Sequence, residues 1–188
     1  MATYISLLKG INVGGNNLIK MVDLRKSYEN LGFQNIRTYV QSGNVIFTIK
    51  ETDSKELEQK ISLQIKKDFG LEIPVIALTP DKLKQVIQSN PFLKEPDKEP
   101  DFFYVSFLNA RPNLSEKKAI EDKIQNSEEI AFTDSTVYLY CPDGYGKTKL
   151  TNSILEKTLK VGATTRNWKT TNELLKIARE ISSEWNAN

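Results

Sequence analysis

The chain contains no histidine, and that absence removes Ser-His-Asp nucleophiles, His-ligated metals and an imidazole base titrating near neutral pH. Acid–base chemistry falls to carboxylates, Lys or Tyr. Cysteine is reduced to Cys141, which cannot close an internal disulfide or build a structural zinc site by itself. It reads as a small buried residue at a strand end, with a nucleophile as the alternative. No apolar run reaches the roughly 20 residues of a membrane helix, and Met1-Ala2-Thr3-Tyr4 lacks the basic start and apolar core of a signal peptide. A cytoplasmic protein with no membrane partner and no resident cofactor or metal is the expectation. Net charge is small as well: 26 cationic against 24 acidic side chains leave +2, too little to imply a nucleic-acid partner.

What remains is a 188-residue chain, 39% hydrophobic and 27% charged, long enough for one large globular domain or two small ones. Its charge is uneven. Met1 to Phe47 holds Lys9, Lys20, Arg25, Lys26 and Arg37 against Asp23 and Glu29, and the stretch after Tyr145 holds eight cations against four Glu. Ordinary solvated helix faces and a basic groove shared by the two ends both account for this.

Periodicity organises the first half. Tyr4 to Leu8 reads as a strand, and Met21 to Leu31 as a helix with Leu24, Tyr28 and Leu31 at helical spacing, stopped by Gly32. Ile36 to Gln41 and Val45 to Ile49 read as a hairpin around Ser42-Gly43-Asn44. Ser54 to Phe69, opened by a Ser54 cap, is a second helix, and Ile73 to Leu78 a further strand. Strand, helix, strand, strand, helix, strand is the split-βαβ or ferredoxin-like order, an antiparallel sheet with both helices on one face, and it fills residues 1–80.

A helix at Pro80 to Gln88 and the Pro-rich stretch Asn90 to Pro100 form the expected linker, residues 81–100. Over residues 101–188 the order restarts: strand at Phe102 to Leu108, helix at Leu114 to Ile124, strands at Glu129 to Phe132 and Thr136 to Tyr140, helix at Lys147 to Leu159. The fold class is therefore α+β, as two tandem ferredoxin-like units, with a last helix, Thr171 to Trp185, packing back on the second.

Candidate site residues fall in four polar stretches. After the first strand, Lys9-Gly10-Ile11-Asn12-Val13-Gly14-Gly15-Asn16-Asn17 demands a bent, exposed backbone that can aim main-chain N–H groups at one anion, with Lys9 as a point charge and Asn12, Gly14 and Gly15 shaping the cradle. At the hairpin, Gln41, Ser42 and Asn44 are either turn chemistry or groups that read a ligand edge. Cys141-Pro142-Asp143-Gly144-Tyr145-Gly146-Lys147-Thr148 nearly fits a P-loop, but Cys141 stands where Gly is required and Pro142 has no N–H. Anion binding at the following helix N-terminus, beside Lys147 and Lys149, is the reading kept. Lastly, Gly162 to Asn172 reads as a polar loop in which Arg166, Asn167 and Trp168 grip an anion and stack on a ring, or in which Trp168 packs in the core while Thr170 or Thr171 caps the last helix. The Phe102 to Phe107 strand lacks the basic-Gly-aromatic signature of sheets that bind RNA.

Leu8-Lys9-Gly10-Ile11-Asn12-Val13-Gly14-Gly15, Tyr39-Val40-Gln41-Ser42-Gly43-Asn44-Val45 and Ala163-Thr164-Thr165-Arg166-Asn167-Trp168, in that order, resemble the bacterial family called domain of unknown function 1697. The resemblance covers nearly the whole chain and implies a two-part α+β fold with no established activity. Lys9 stands where the family commonly has Arg, so a bidentate grip is replaced by a point charge.

Three readings follow. The first is a binding protein for an anionic small molecule, such as a nucleotide, or for a nucleic-acid phosphate, at a site where the Gly14-Gly15 loop, the Gln41 to Asn44 turn and the Arg166 to Trp168 stretch converge. The second is an enzyme on a phosphorylated or nucleotide substrate, with Lys9 or Arg166 stabilising developing charge. The third is a homodimer or partner-binding module using open sheet edges and faces.

Overall fold

The computed structural model describes residues 1–186. These residues form two compact units, one of residues 1–85 together with the chain from Glu173 onward, the other of Val86–Asn172.

In the first unit, β1 (Ala2–Leu8), β2 (Gln34–Tyr39), β3 (Asn44–Ile49) and β4 (Val75–Leu78) make an antiparallel sheet of order β2-β3-β1-β4. Helices α1 (Met21–Asn30) and α2 (Ser54–Phe69) occupy the positions their periodicity predicts. Their apolar stripes, Leu24 and Tyr28 on α1 and Leu57, Ile61 and Ile65 on α2, are buried with Tyr4, Leu8, Val45 and Phe47 of the sheet. Phe47 lies at the centre of this core, stacked on Phe33 at 4.4 Å and edge-on to Tyr28 at 5.5 Å. The Tyr28 hydroxyl shares a 2.8 Å hydrogen bond with Ser6 on the central strand, which satisfies a phenol that burial holds far above its usual range.

Two details differ from the sequence reading. Asp53, not Ser54, caps α2, its carboxylate accepting from the N–H groups of Lys55 and Glu56 at 2.8 and 3.2 Å. Strand β2 ends at Tyr39, so Gln41 belongs to the turn and Asn44 to β3.

The second unit repeats the arrangement with β5 (Phe103–Leu108), α4 (Lys117–Glu121), β6 (Glu129–Phe132), β7 (Thr136–Tyr140), α5 (Asn152–Leu159) and β8 (Ala163–Asn167), in a sheet of order β6-β7-β5-β8. Helix α3 (Pro80–Gln88) carries the chain from the first unit into the second, and α6 (Trp168–Asn186) carries it back.

Here the sequence reading is corrected at five places. The Pro-rich stretch is packed, not a free linker: Asn90 caps a 3-10 turn at Pro91–Lys94, which buries Phe92, and the second unit already begins at Val86. Helix α4 is shorter than Leu114 to Ile124. Helix α5 starts at Asn152, capped by the Thr151 hydroxyl, because residues 145–150 turn back to bury Leu150. The stretch Gly162 to Asn172 is no loop: Ala163–Asn167 pairs along β5, and its Thr-Thr-Arg-Asn composition hides an edge strand from any apolar alternation. From Glu173 onward α6 groups with the first unit, where Ser182 donates to the Thr3 hydroxyl at 2.9 Å, and not with the second where the sequence placed it. Residues 187 and 188 of the expected second unit lie outside the described residues.

Candidate functional site

Two of the polar stretches meet in the first unit. Leaving β1, the chain places Gly10, Asn12, Gly14, Gly15 and Asn17 at positive φ, between +47° and +79°. Gly and Asn are the residues that adopt this conformation most readily, which explains the composition of the loop. Val13 and Asn16 close a miniature hairpin over Gly14-Gly15.

Asn12 fixes the loop. Its side-chain oxygen accepts from the Ile19 N–H at 2.9 Å, while its amide donates to the Ile19 carbonyl at 2.9 Å and to the Gln41 carbonyl at 2.8 Å. The last bond joins the loop to the hairpin turn. Asn17 donates from its side chain to the Gly10 carbonyl at 3.0 Å, and the Leu8 N–H donates to the Gly43 carbonyl at 2.8 Å. Gly43 is buried against this junction: a Cβ there would lie 2.6 Å from Leu8 Cβ.

The amides thus divide. Asn12 and Asn44 are structural, since Asn44 is buried and donates to the Tyr39 carbonyl at 3.1 Å and to the Ser42 hydroxyl at 2.9 Å. The Gln41 side chain is exposed beside the loop, as are Gly14 and Gly15 at the hairpin tip. Among the described residues the N–H groups of Gly14 and Gly15 make no backbone hydrogen bond. Lys9 is half-buried at the loop's root, where its N–H donates to the Pro74 carbonyl at 3.0 Å. Sequence reasoning missed Ile19, whose backbone is the other half of the Asn12 clamp, and Val40, at φ +49°. Only the recurrence of Asn in the loop signalled such side-chain bracing.

The remaining candidates lie in the second unit. Lys147 and Lys149 are exposed on the turn that precedes α5, and the expected helix N-terminus at Lys147 is not there. Arg166 lies on β8 opposite Val105, 7% exposed, and donates to the Thr164 hydroxyl at 2.8 Å and the Thr165 carbonyl at 2.9 Å. Burial pulls its guanidinium down to about 10, which still leaves it charged at neutral pH. Asn167 caps α6, its side chain accepting from the Thr170 N–H at 2.8 Å, so the cap expected from Thr170 or Thr171 comes from Asn167. Trp168 packs edge-on against Phe103 at 5.9 Å.

Between β8 and the turn, the Thr165 hydroxyl gathers polar partners. It shares a 2.6 Å bond with Ser106, donates to the Asn152 side chain at 2.6 Å and accepts from the Tyr145 hydroxyl at 3.2 Å. Tyr145 stacks on Tyr104 at 5.0 Å, and desolvation raises its phenol. Cys141 is buried in the adjoining core, where desolvation, with the Glu128 charge second, pushes its thiol up to about 12. Such a thiol is protonated at neutral pH and is no nucleophile. Among the described residues no group of three or more Cys, Asp or Glu could hold a metal ion.

A family model described as "Protein of unknown function (DUF1697)" matches residues 1–138, which include the Asn12 clamp and the turn it holds. The chain belongs to the DUF1697 family. A solved structure, "The structure of conserved bacterial protein SP0830 from Streptococcus pneumoniae", is similar to this DUF1697 chain with a TM-score of 0.69. At 23% identity, over 94% of this chain and 98% of that one, the likeness establishes the α+β fold. Comparison with curated proteins gives no match. Among the described residues of the DUF1697 chain, no helix is long and apolar enough to cross a membrane.

Proposed function

We propose that the chain binds an anionic ligand, a nucleotide or a nucleic-acid phosphate, at the Gly10 to Asn17 loop and the Val40 to Gly43 turn of the first unit. The Asn12 clamp carries this reading. Three hydrogen bonds from one side chain hold an exposed Gly-rich tip in a single shape, and that order is set before any ligand arrives. Backbone N–H groups on such a loop supply partial positive charge, and residues 1–22 contain no carboxylate side chain to oppose it.

Each unit is best read as a ferredoxin-like module, because its connection order is βαββαβ and the first and third strands lie at the centre of its sheet. A reducing, cytoplasmic setting accords with the single thiol of the sequence, Cys141, which has no second cysteine to pair with. The enzymatic alternative gains nothing from that thiol.

Calorimetric titration with pyrophosphate, ATP and a short oligonucleotide tests the binding reading. At least one anion should bind saturably, and Asn12→Ala should weaken it about tenfold by releasing the loop, a loss of about 1.4 kcal/mol. Absence of binding by all three, or wild-type affinity in N12A, would overturn it.

A further inference from the structure

Lys98 is on an exposed, acid-rich stretch, Glu95-Pro96-Asp97-Lys98-Glu99-Pro100-Asp101, yet its side chain is only 7% exposed. Its ammonium lies 5.0 Å from the centre of the Phe92 ring and 5.5 Å from that of Tyr140, and 2.8 Å from a Glu129 carboxylate oxygen. Glu95 supplies a second carboxylate to the same ammonium. Phe103 backs the enclosure, packed 5.9 Å from both Phe92 and Tyr140. All these groups belong to the second unit.

Two ring faces and two carboxylates around one ammonium meet every requirement of an organic-cation site: quadrupole attraction, charge neutralisation and hydrogen-bond acceptors. The carboxylates are half-exposed, so the enclosure opens to solvent on their side. The stretch that delivers Lys98 is itself lightly held. From Glu95 to Asp101, the backbone hydrogen bonds among the described residues close local turns: Glu95 N–H to Phe92, Lys98 N–H to Glu95, Phe102 N–H to Glu99 and Phe103 N–H to Pro100. Its other charges, Asp97, Glu99 and Asp101, are all acidic and would attract a second positive centre.

We propose that this enclosure is a binding site for alkylammonium ions of the diamine and polyamine class, filled in cis by Lys98, which an incoming diamine displaces. One ammonium of the diamine takes the place of the Lys98 ammonium between the rings and Glu129. The other lies among the acids of the displaced stretch.

Titration of the full chain with 1,4-diaminobutane tests this at constant ionic strength, using calorimetry and thermal unfolding. Lys98→Ala empties the enclosure and should bind the diamine saturably, with a rise in melting temperature that equal ionic strengths of NaCl do not give. The wild type should bind at least tenfold more weakly, because Lys98 competes. The double variant K98A/E129Q should lose at least tenfold of the K98A affinity. No saturable binding by K98A overturns the site, and binding by K98A with none by the wild type overturns the displacement. Binding that E129Q leaves unchanged places the diamine elsewhere and also overturns the proposal. If K98A does not fold alone, its refolding yield is read instead: 1,4-diaminobutane must raise it above the NaCl control, and an unchanged yield overturns the site.

Discussion

At Val40 a β-branched side chain is held at φ +49° with half of its surface exposed. The left-handed conformation costs an L-residue about 1–2 kcal/mol, and an exposed side chain recovers little of that through packing. Val40→Asn should therefore stabilise the protein by about 1 kcal/mol, seen as a higher urea midpoint with unchanged slope; a lower midpoint would show that Val40 packs usefully. The glycines of the same site separate by what surrounds them. At Gly43 (φ +75°) a methyl group would meet Leu8 Cβ at 2.6 Å and Ile11 Cδ1 at 2.9 Å, so Gly43→Ala should cost about 2–5 kcal/mol, strain and overpacking together. At Gly14 (φ +57°) the nearest atom is 3.9 Å away, and Gly14→Ala should cost about 1–2 kcal/mol from the backbone alone. Parallel denaturation curves of the two variants check that ordering. Gly and Asn made the bent loop legible in the sequence, because both adopt positive φ readily. The partner of each side chain was not legible, since Asn12 reaches across 29 positions to the Gln41 carbonyl.

Helices α1 and α2 were readable because their buried residues recur at helical spacing, and the polar bond that joins them beside the core was not. Ser27 on α1 donates to the Asp68 carboxylate on α2 at 2.6 Å, and Gln64 donates to the same oxygen at 2.8 Å. The Ser27 bond first, then that from Gln64, holds Asp68 below its ordinary value of 3.8. A carboxyl whose folded value is depressed binds its proton more readily in the unfolded chain. Its stabilising contribution is complete above the unfolded value and is lost as pH falls through the folded one. Ser27→Ala should thus lower stability at neutral pH and flatten the fall in stability below about pH 4, where the ordinary carboxylate titrates. Urea midpoints at pH 7, 4 and 2.5 measure this, and a wild-type slope in S27A would show that Ser27 does not set the Asp68 value. The exposure of Asp68 keeps the effect modest. Elements that escaped the sequence reading share a cause: local polarity conceals burial that is set by distant partners. Strand β8 carries three polar or charged side chains between Ala163 and Asn167, and its pairing with β5 rests on backbone groups that no side-chain pattern records. Residues 147–151 look helical by composition, but the Thr148 hydroxyl takes the Leu150 N–H at 3.0 Å and holds a turn there.

The two units use the same ladder register. Ser6 faces Val45 and Ala77 across its neighbours in the first unit, and Ser106 faces Val137 and Thr165 in the second. Tyr4 and Tyr104 precede those serines by two residues, and Leu8 and Leu108 follow by two, so the correspondence extends along the central strand. Side-chain identity elsewhere is too low to reveal it, whereas backbone pairing preserves it. Chain order does not follow this symmetry, because the first unit is assembled from both ends of the chain while the second is continuous. Assembly of the first unit therefore depends on contacts separated by nearly the full sequence. The Ser182 hydroxyl donates to Thr3 at 2.9 Å, and the Arg37 guanidinium pairs with Glu180 at 3.3 Å. Ala178 and Ile181, on the same helix, are fully buried or nearly so. Truncation after Asn172 removes all of these groups from the first unit. The segment removed carries four buried aliphatic residues, Leu174, Leu175, Ala178 and Ile181, and one partly buried hydroxyl contact, which together imply a loss of about 3 kcal/mol or more, since each of the larger buried aliphatic side chains alone contributes about 1.5–3 kcal/mol. The truncated chain should melt at a lower temperature and, under limited trypsin, be cut first at Lys or Arg within residues 1–85. First cleavage within residues 86–172 would show that the C-terminal helix stabilises the second unit instead, as its position in the sequence suggests.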